Sequence, residues 1–175
     1  DKTHGRIWRI AAKGQPRVQQ PKLAGLKPAE LLEQLRSPER WTRYQAKRLL
    51  FEGLSEEVLR AADAWIARLD SAQPDYGRLL IEAAGVFEAH EDPRPALLQK
   101  LLHASDARVR AYGSRVAGAW SEQLPDPLKL LTERARDPHP RVRLEAAVAA
   151  SYVPKTEGVL VAAAALESPR DPFLD

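Results

Sequence analysis

The stretch that most constrains the fold is residues 137–153, "DPHPRVRLEAAVAASYV". Pro138 and Pro140 lack backbone donors, so they end the helix before them and fit only the very start of the next. Val142, Ala146, Ala149 and Val153 then recur on one helical face, and Leu144 and Val148 are expected to widen it. So many small residues on a buried face let neighbouring backbones approach closely. A stacked array of helices needs that.

The chain repeats the pattern. With Arg43, Arg110 and Arg143 aligned, the segments read "SPERWTRYQAKRLL", "SDARVRAYGSRVAG" and "DPHPRVRLEAAVAA", with a one-residue gap before Arg110. Thr42, Val109 and Val142 precede the arginines, and Ala46, Gly113 and Ala146 follow three residues later. A degenerate copy runs from Asp75 through Gly77, Arg78 and Leu79 to Ala83 and Ala84. An apolar helix lies before each copy: 31–35, 59–69, 97–102 and 128–131. Helix pairs recurring at roughly 30 to 45 residues mark an α-solenoid. One pair cannot bury its apolar face alone, whereas stacked pairs bury a continuous core.

"DPHPRVRLEAAVAA" resembles the HEAT-repeat pattern, which places Asp in the turn within a repeat and Arg early in its second helix. The resemblance covers about residues 27–175. It implies a hydrogen-bonded ladder, carried best by Asp137 with Arg143, next by Asp106 with Arg110, and more weakly at Arg43, where Ser37 replaces the acid.

Composition bounds the remaining choices. Gly is low at 9 and Pro high at 14, which suits many short helices with proline-marked ends. No apolar run approaches the ~20 residues of a membrane span, and the N-terminus is not a signal peptide. Cys is absent, which excludes disulfides and thiolate metal sites. The net charge of +3 conceals an asymmetry. Residues 1–24 hold six of the 27 basic residues (Lys2, Arg6, Arg9, Lys13, Arg17 and Lys22) and one of the 24 acidic ones, leaving 21 against 23. The body is near neutral, whereas a nucleic-acid-binding solenoid should carry a basic stripe on the body itself.

Residues 1–24 are predicted to form an extended arm and linker. Ile7, Trp8 and Ile10 give a short β-like run, and a lone strand needs a partner. Helices are predicted over 28–36, 41–52, 55–70, 76–90, 95–103 and 106–122. Another ends near 136, the next covers 140–153, and a last one is capped by Thr156 and reaches 167. Gly53 is a predicted C-cap. "SPRDPFLD" starts a further turn, with Phe173 and Leu174 poised as apolar positions. That turn and the Asp at position 1 suggest an excised piece, cut mid-repeat at the C-terminus.

The order of "HGRIWRI", a Pro-containing linker, "LLEQLRSPERWTRYQAKRLL", "DPHPRVRLEAAVAA" and "DPFLD" resembles the large secreted dehydrogenase-like proteins of planctomycetes and their relatives. In these a sugar-dehydrogenase-like β-propeller precedes HEAT repeats and a c-type cytochrome segment. The resemblance implies that 1–24 end an upstream propeller, that 25–175 are a HEAT-repeat domain, and that the location is periplasmic, secreted or cell-envelope. The Cys-x-x-Cys-His haem attachment is absent, so neither a haem nor a quinone site carries over to any residue.

No catalytic constellation stands out. His4, His90, His103 and His139 are scattered. His139, between two prolines, reads as a cap, and His90 as a cation at a helix C-terminus. Glu56–Glu57, Glu91–Asp92 and Asp70 with Asp75 read as caps and solvated faces. There is no Gly-rich phosphate loop and no G-x-S-x-G elbow. Trp41, Trp65 and Trp120 are expected to pack between repeats. Arg108, Arg115 and Arg141 remain candidates for meeting a partner's acidic surface. The fold expectation is an all-α solenoid of four to five HEAT-like helical hairpins with a short β-like N-terminal arm. The function expectation is a non-catalytic connector with no cofactor, metal, nucleic acid or membrane insertion. The alternatives are a HEAT-like DNA glycosylase, which would use Trp and Asp in a concave basic groove, and a free-standing protein-binding adaptor.

Overall fold

A computed structural model describes residues 19–167, together with Gly5, Trp8, Ile10, Lys13 and Gly14. The helices are α1 (Pro28–Gln34), α2 (Arg40–Glu52), α3 (Ser55–Ala67), α4 (Tyr76–Ala89), α5 (Pro95–Leu102), α6 (Ala107–Ala119), α7 (Pro127–Ala135), α8 (Pro140–Ala149) and α9 (Lys155–Leu166). Short 3-10 turns follow α6 and α8, at Ser121–Gln123 and Ala150–Tyr152. There is no strand among the described residues. Proline opens α1, α5, α7 and α8 at a position where its missing N–H costs nothing.

Neighbours in sequence pack as pairs: α1 on α2, α3 on α4, α5 on α6 and α7 on α8. The second helices also touch in succession, α2 to α4 to α6 to α8, while α1 packs on α3 and α7 on α9. The result is a solenoid-like stack of two helical layers around one elongated core.

A single register underlies the second helices. Thr42, Leu79, Val109 and Val142 are buried at one position, Ala46, Ala83, Gly113 and Ala146 four residues on, and Leu50, Phe87, Ala117 and Ala150 four further on. In this register Leu80, not Arg78, stands where the other helices carry Arg43, Arg110 and Arg143. The α6–α8 crossing is the tightest. A Cβ added to Gly118 would lie 2.7 Å from the Ala149 Cβ and 3.0 Å from its Cα. The small side chains of 137–153 thus serve close helix approach.

Several expectations are corrected. Leu144 and Val148 do not widen the buried face of α8: they are 37% and 55% exposed, because that face is filled by Val142, Arg143, Ala146 and Ala149. The helix predicted over 140–153 ends at Ala149. That over 106–122 ends at Ala119, where the chain tightens into a 3-10 turn with Trp120 and Leu124 tucked inward. Gly53 does close α2, but with φ −77. What its position demands is space, since an added Cβ would meet Val58 Cγ2 at 2.9 Å. Thr156 lies inside α9, which Pro154 precedes as the N-cap residue.

Trp65 and Trp120 are buried as inter-helix packing, whereas Trp41 is 58% exposed and stacks on Tyr44 with ring centroids 5.8 Å apart. Of the β-like run at the N-terminus, Trp8 and Ile10 are described; both are exposed and neither lies in a strand. The rest of that run, and the turn bearing Phe173 and Leu174, lie outside the described residues. Residues 19–23 have no regular secondary structure and lead into a turn at Ala24–Gly25. Leu23 enters the core, and Gln20 to Ala24 with Trp41, Gln45 and Leu49 line a cavity of about 740 Å³.

Candidate interaction surface

Three arginines of the second helices make the same clasp. Arg43 Nη1 donates to the carbonyls of Ser37 and Pro38 at 2.9 and 2.8 Å. Arg110 Nη1 donates to Ala104 and Ser105 at 2.9 and 2.8 Å, and Arg143 Nη1 to Asp137 and Pro138, both at 3.2 Å. In each case the acceptors lie six and five residues upstream, and they are carbonyls of the turn between the paired helices. One guanidinium satisfies two of them, which suits its planar fork of donors.

The other edges of the Arg43 and Arg110 guanidiniums reach the next pair of helices. Arg110 Nε and Nη2 donate to Asp137 Oδ2 and Oδ1 at 2.8 and 3.0 Å, a bidentate pair spanning 27 residues. The Asp137 side chain is only 4% exposed and also accepts from the His139 backbone N–H. Burial pushes its carboxyl up, but the hydrogen bonds from Arg110 and His139 and the charges of Arg110 and Arg134 outweigh this and hold it below the usual carboxylate range. Asp137 therefore gives its side chain to Arg110 and its carbonyl to Arg143. The expected pairing of Asp106 with Arg110 is replaced. Asp106 accepts from the Arg108 backbone N–H at 2.8 Å and pairs with the Arg108 side chain, since it sits at the N-cap of α6, beside Arg108.

In the turn before α4, Pro74 stands at the register position of Asp137, and the neighbouring Asp75 pairs with Arg78. Instead Glu82, on α4, accepts from Arg43 Nε at 3.0 Å, and Lys47 Nζ lies 2.7 Å from its second oxygen. The sequence comparison missed Glu82, because the acid comes from inside a helix and not from the turn. Glu88, two turns on, faces the other way. Tyr112 Oη donates to it at 2.6 Å, and Arg115 reaches it at 3.3 Å while lying over the Tyr112 ring. Burial, followed by the Glu88 hydrogen bond and charge, pushes the Tyr112 hydroxyl well above its ordinary pKa. Through these two carboxylates α4 holds both α2 and α6.

The three arginines considered for a partner thus differ. Arg108 is engaged by Asp106, Arg115 by Glu88 and Tyr112, while Arg141 is exposed and makes no side-chain ion pair among the described residues. His90 ties two helices together. Its Nε2 lies 3.1 Å from the Leu50 carbonyl, and its Nδ1 lies 3.0 Å from Ser55 Oγ. A carbonyl only accepts, so Nε2 carries a proton. His139 caps α8, its Nδ1 accepting the Arg141 backbone N–H. No group of three or more His, Asp or Glu among the described residues is arranged to hold a metal ion. No helix among them is long and apolar enough to cross a membrane.

Exposed apolar side chains are unevenly placed. On α1 to α8, every large exposed one lies on a second helix: Trp41, Tyr44 and Phe51 on α2, Leu144 and Val148 on α8. No family model matches the chain, and neither a curated protein nor a solved structure does.

Proposed function

We propose that this chain is a non-catalytic HEAT-type scaffold, four helical hairpins and the first helix of a fifth, whose second-helix face receives a protein partner. The observation that carries this reading is that, within the four complete hairpins, α2 and α8 carry large exposed apolar side chains while α1, α3, α5 and α7 carry none, although Leu54 just before α3 and Val159, Leu160 and Leu166 of α9 are exposed as well. Apolar groups rimmed by polar ones mark interaction surfaces. The arginine clasps and the Glu82 and Glu88 bridges fix the spacing of the helices that present them. The mechanism is presentation, with binding residues held on a stacked frame. Arg141 is the cation placed to meet an acidic group on the partner.

The resemblance to the dehydrogenase-like proteins sharpens the reading to a connector between a propeller and a cytochrome segment of an exported protein. The test is the intact mass and visible spectrum of the native protein that carries this segment. A mass several times 19.5 kDa with a haem absorption band supports the connector. A protein near 19.5 kDa without a chromophore removes it and leaves the free-standing adaptor.

A further inference from the structure

Ser55 and His90 are 35 residues apart in sequence and in contact in the fold. Gly53 closes α2 and Ser55 opens α3, while His90 stands at the end of α4. The His90 ring bridges that junction. Its Nε2 gives its proton to the Leu50 carbonyl at 3.1 Å, which leaves Nδ1 of the neutral ring with a lone pair. Ser55 Oγ lies 3.0 Å from that nitrogen, so its hydroxyl donates to Nδ1. A nucleophile, a base and a group that fixes the tautomer of the base are thus hydrogen-bonded in order.

Among the described residues no other serine hydroxyl is hydrogen-bonded to a side-chain base. Ser114, Ser121 and Ser151 donate to the carbonyls of Arg110, Tyr152 and Val148. A carbonyl does not take up the proton, so those hydroxyls gain no nucleophilicity. The surroundings of Ser55 are open and apolar on one side. Leu54 is 73% and Phe51 59% exposed, and the Phe51 and His90 rings lie 6.3 Å apart. The N–H groups of Ser55 and Glu56 start α3 and have no acceptor within it. They are available to a carbonyl oxygen that becomes negative under attack. The Glu56 side chain is drawn to Arg60 at 3.1 Å.

We propose that Ser55 is a covalent acylation site, activated by His90, for activated esters with an apolar acyl group. Ser55 Oγ attacks the acyl carbon, and its proton passes to His90 Nδ1. The Leu50 carbonyl keeps its hydrogen bond to the ring cation that forms. The bond from the acyl carbon to the leaving oxygen then breaks. The leaving oxygen or solvent water takes the proton from Nδ1. Ser55 is left as an ester and His90 neutral. A modification site at this junction is additional to the docking role of the scaffold and needs no bound partner.

The experiment treats the 175-residue chain with p-nitrophenyl butyrate at neutral pH. Peptide mapping by mass spectrometry follows the butyryl ester on each serine, and absorbance follows p-nitrophenolate. Ser71 and Ser105, both exposed, are internal references. A positioned general base contributes about 10²–10⁴-fold, so Ser55 is expected to acylate at least about 100-fold faster than either. Any ester lost to water afterwards still registers as p-nitrophenolate release that Ser55→Ala abolishes. His90→Gln, verified as folded by circular dichroism, is expected to lower the Ser55 rate to that of the references. Wild-type Ser55 that reacts no faster than Ser71 and Ser105, with release unchanged in Ser55→Ala, overturns the proposal. So does folded His90→Gln that acylates Ser55 at the wild-type rate.

Discussion

At the scale of the residue, the pair formed by Arg110 and Asp137 carries the largest consequence. Both side chains are largely removed from water, and taking one partner from a buried pair strands the other, at about 3–5 kcal/mol. Asp137→Ala and Arg110→Ala should each lower stability by an amount of that order in chemical denaturation. The pH dependence follows from the depressed pKa of Asp137. The unfolded chain takes up this proton near pH 4, while the folded chain resists until lower pH. The stabilisation is therefore complete above about pH 4 and disappears as pH falls through the folded value. Asp137→Asn should flatten that acid limb of stability while changing its neutral plateau the other way, downward. A second residue works against the fold locally. Glu91 has φ 52, in the left-handed region, and closes α4 with its N–H on Glu88 and the Asp92 N–H on Phe87. Glycine adopts this closing geometry without strain. Glu91→Gly should therefore raise stability by about 0.5–1 kcal/mol, read as an upward shift of the melting temperature. An unchanged or lowered one would show that the Glu91 side chain contributes more than its backbone costs.

At the scale of the element, the sequence made the helices legible and left their ends and neighbours obscure. Prolines at 28, 95, 127 and 140 mark starts by a local covalent property, which is why those boundaries read well. The two over-extended helices end without a breaker in the sequence: Ala119 and Ala149 pass into 3-10 turns through tertiary packing of Trp120, Ala150 and Val153. Leu144 and Val148 read as core because apolar spacing alone does not say which side of a helix meets a neighbour. The arginines of the clasp were found because the pattern repeats, whereas Glu82 and Glu88 have no repeated counterpart. Their partners are chosen by how α4 packs. Close approach was legible in the abundance of small residues but not its location. With the Gly118 Cβ position 2.7 Å from Ala149, Gly118→Val must push α8 away from α6. The expected cost is about 1–3 kcal/mol. Gly85→Ala is the control, since its nearest neighbour is Tyr112 Oη at 3.8 Å. Helix propensity favours both substitutions, so a loss in Gly85→Ala equal to that in Gly118→Val would show that the α6–α8 contact is not what governs the response.

At the scale of the whole molecule, a stack in which each pair touches only its neighbours is stabilised as a chain of local interfaces, so its parts need not share one stability. The interfaces here are unequal. Between α6 and α8 the backbones approach through Gly118 and Ala149, and Arg110 joins that region to Asp137 across a buried pair. Between α2 and α4, the bridges are the Glu82 carboxylate and the His90 ring on the Leu50 carbonyl, and Tyr44 and Phe51 of α2 stay exposed. Opening of α1 and α2 exposes less tightly packed surface than opening of α6 and α8, so it should cost less. Native-state hydrogen exchange tests this directly, since protection reports local opening free energy. Amides of α5 to α8 are expected to exchange slowest and together, and those of α1 and α2 measurably faster. Uniform protection from α1 to α8 would describe a single cooperative unit in which the α6–α8 contact has no special weight.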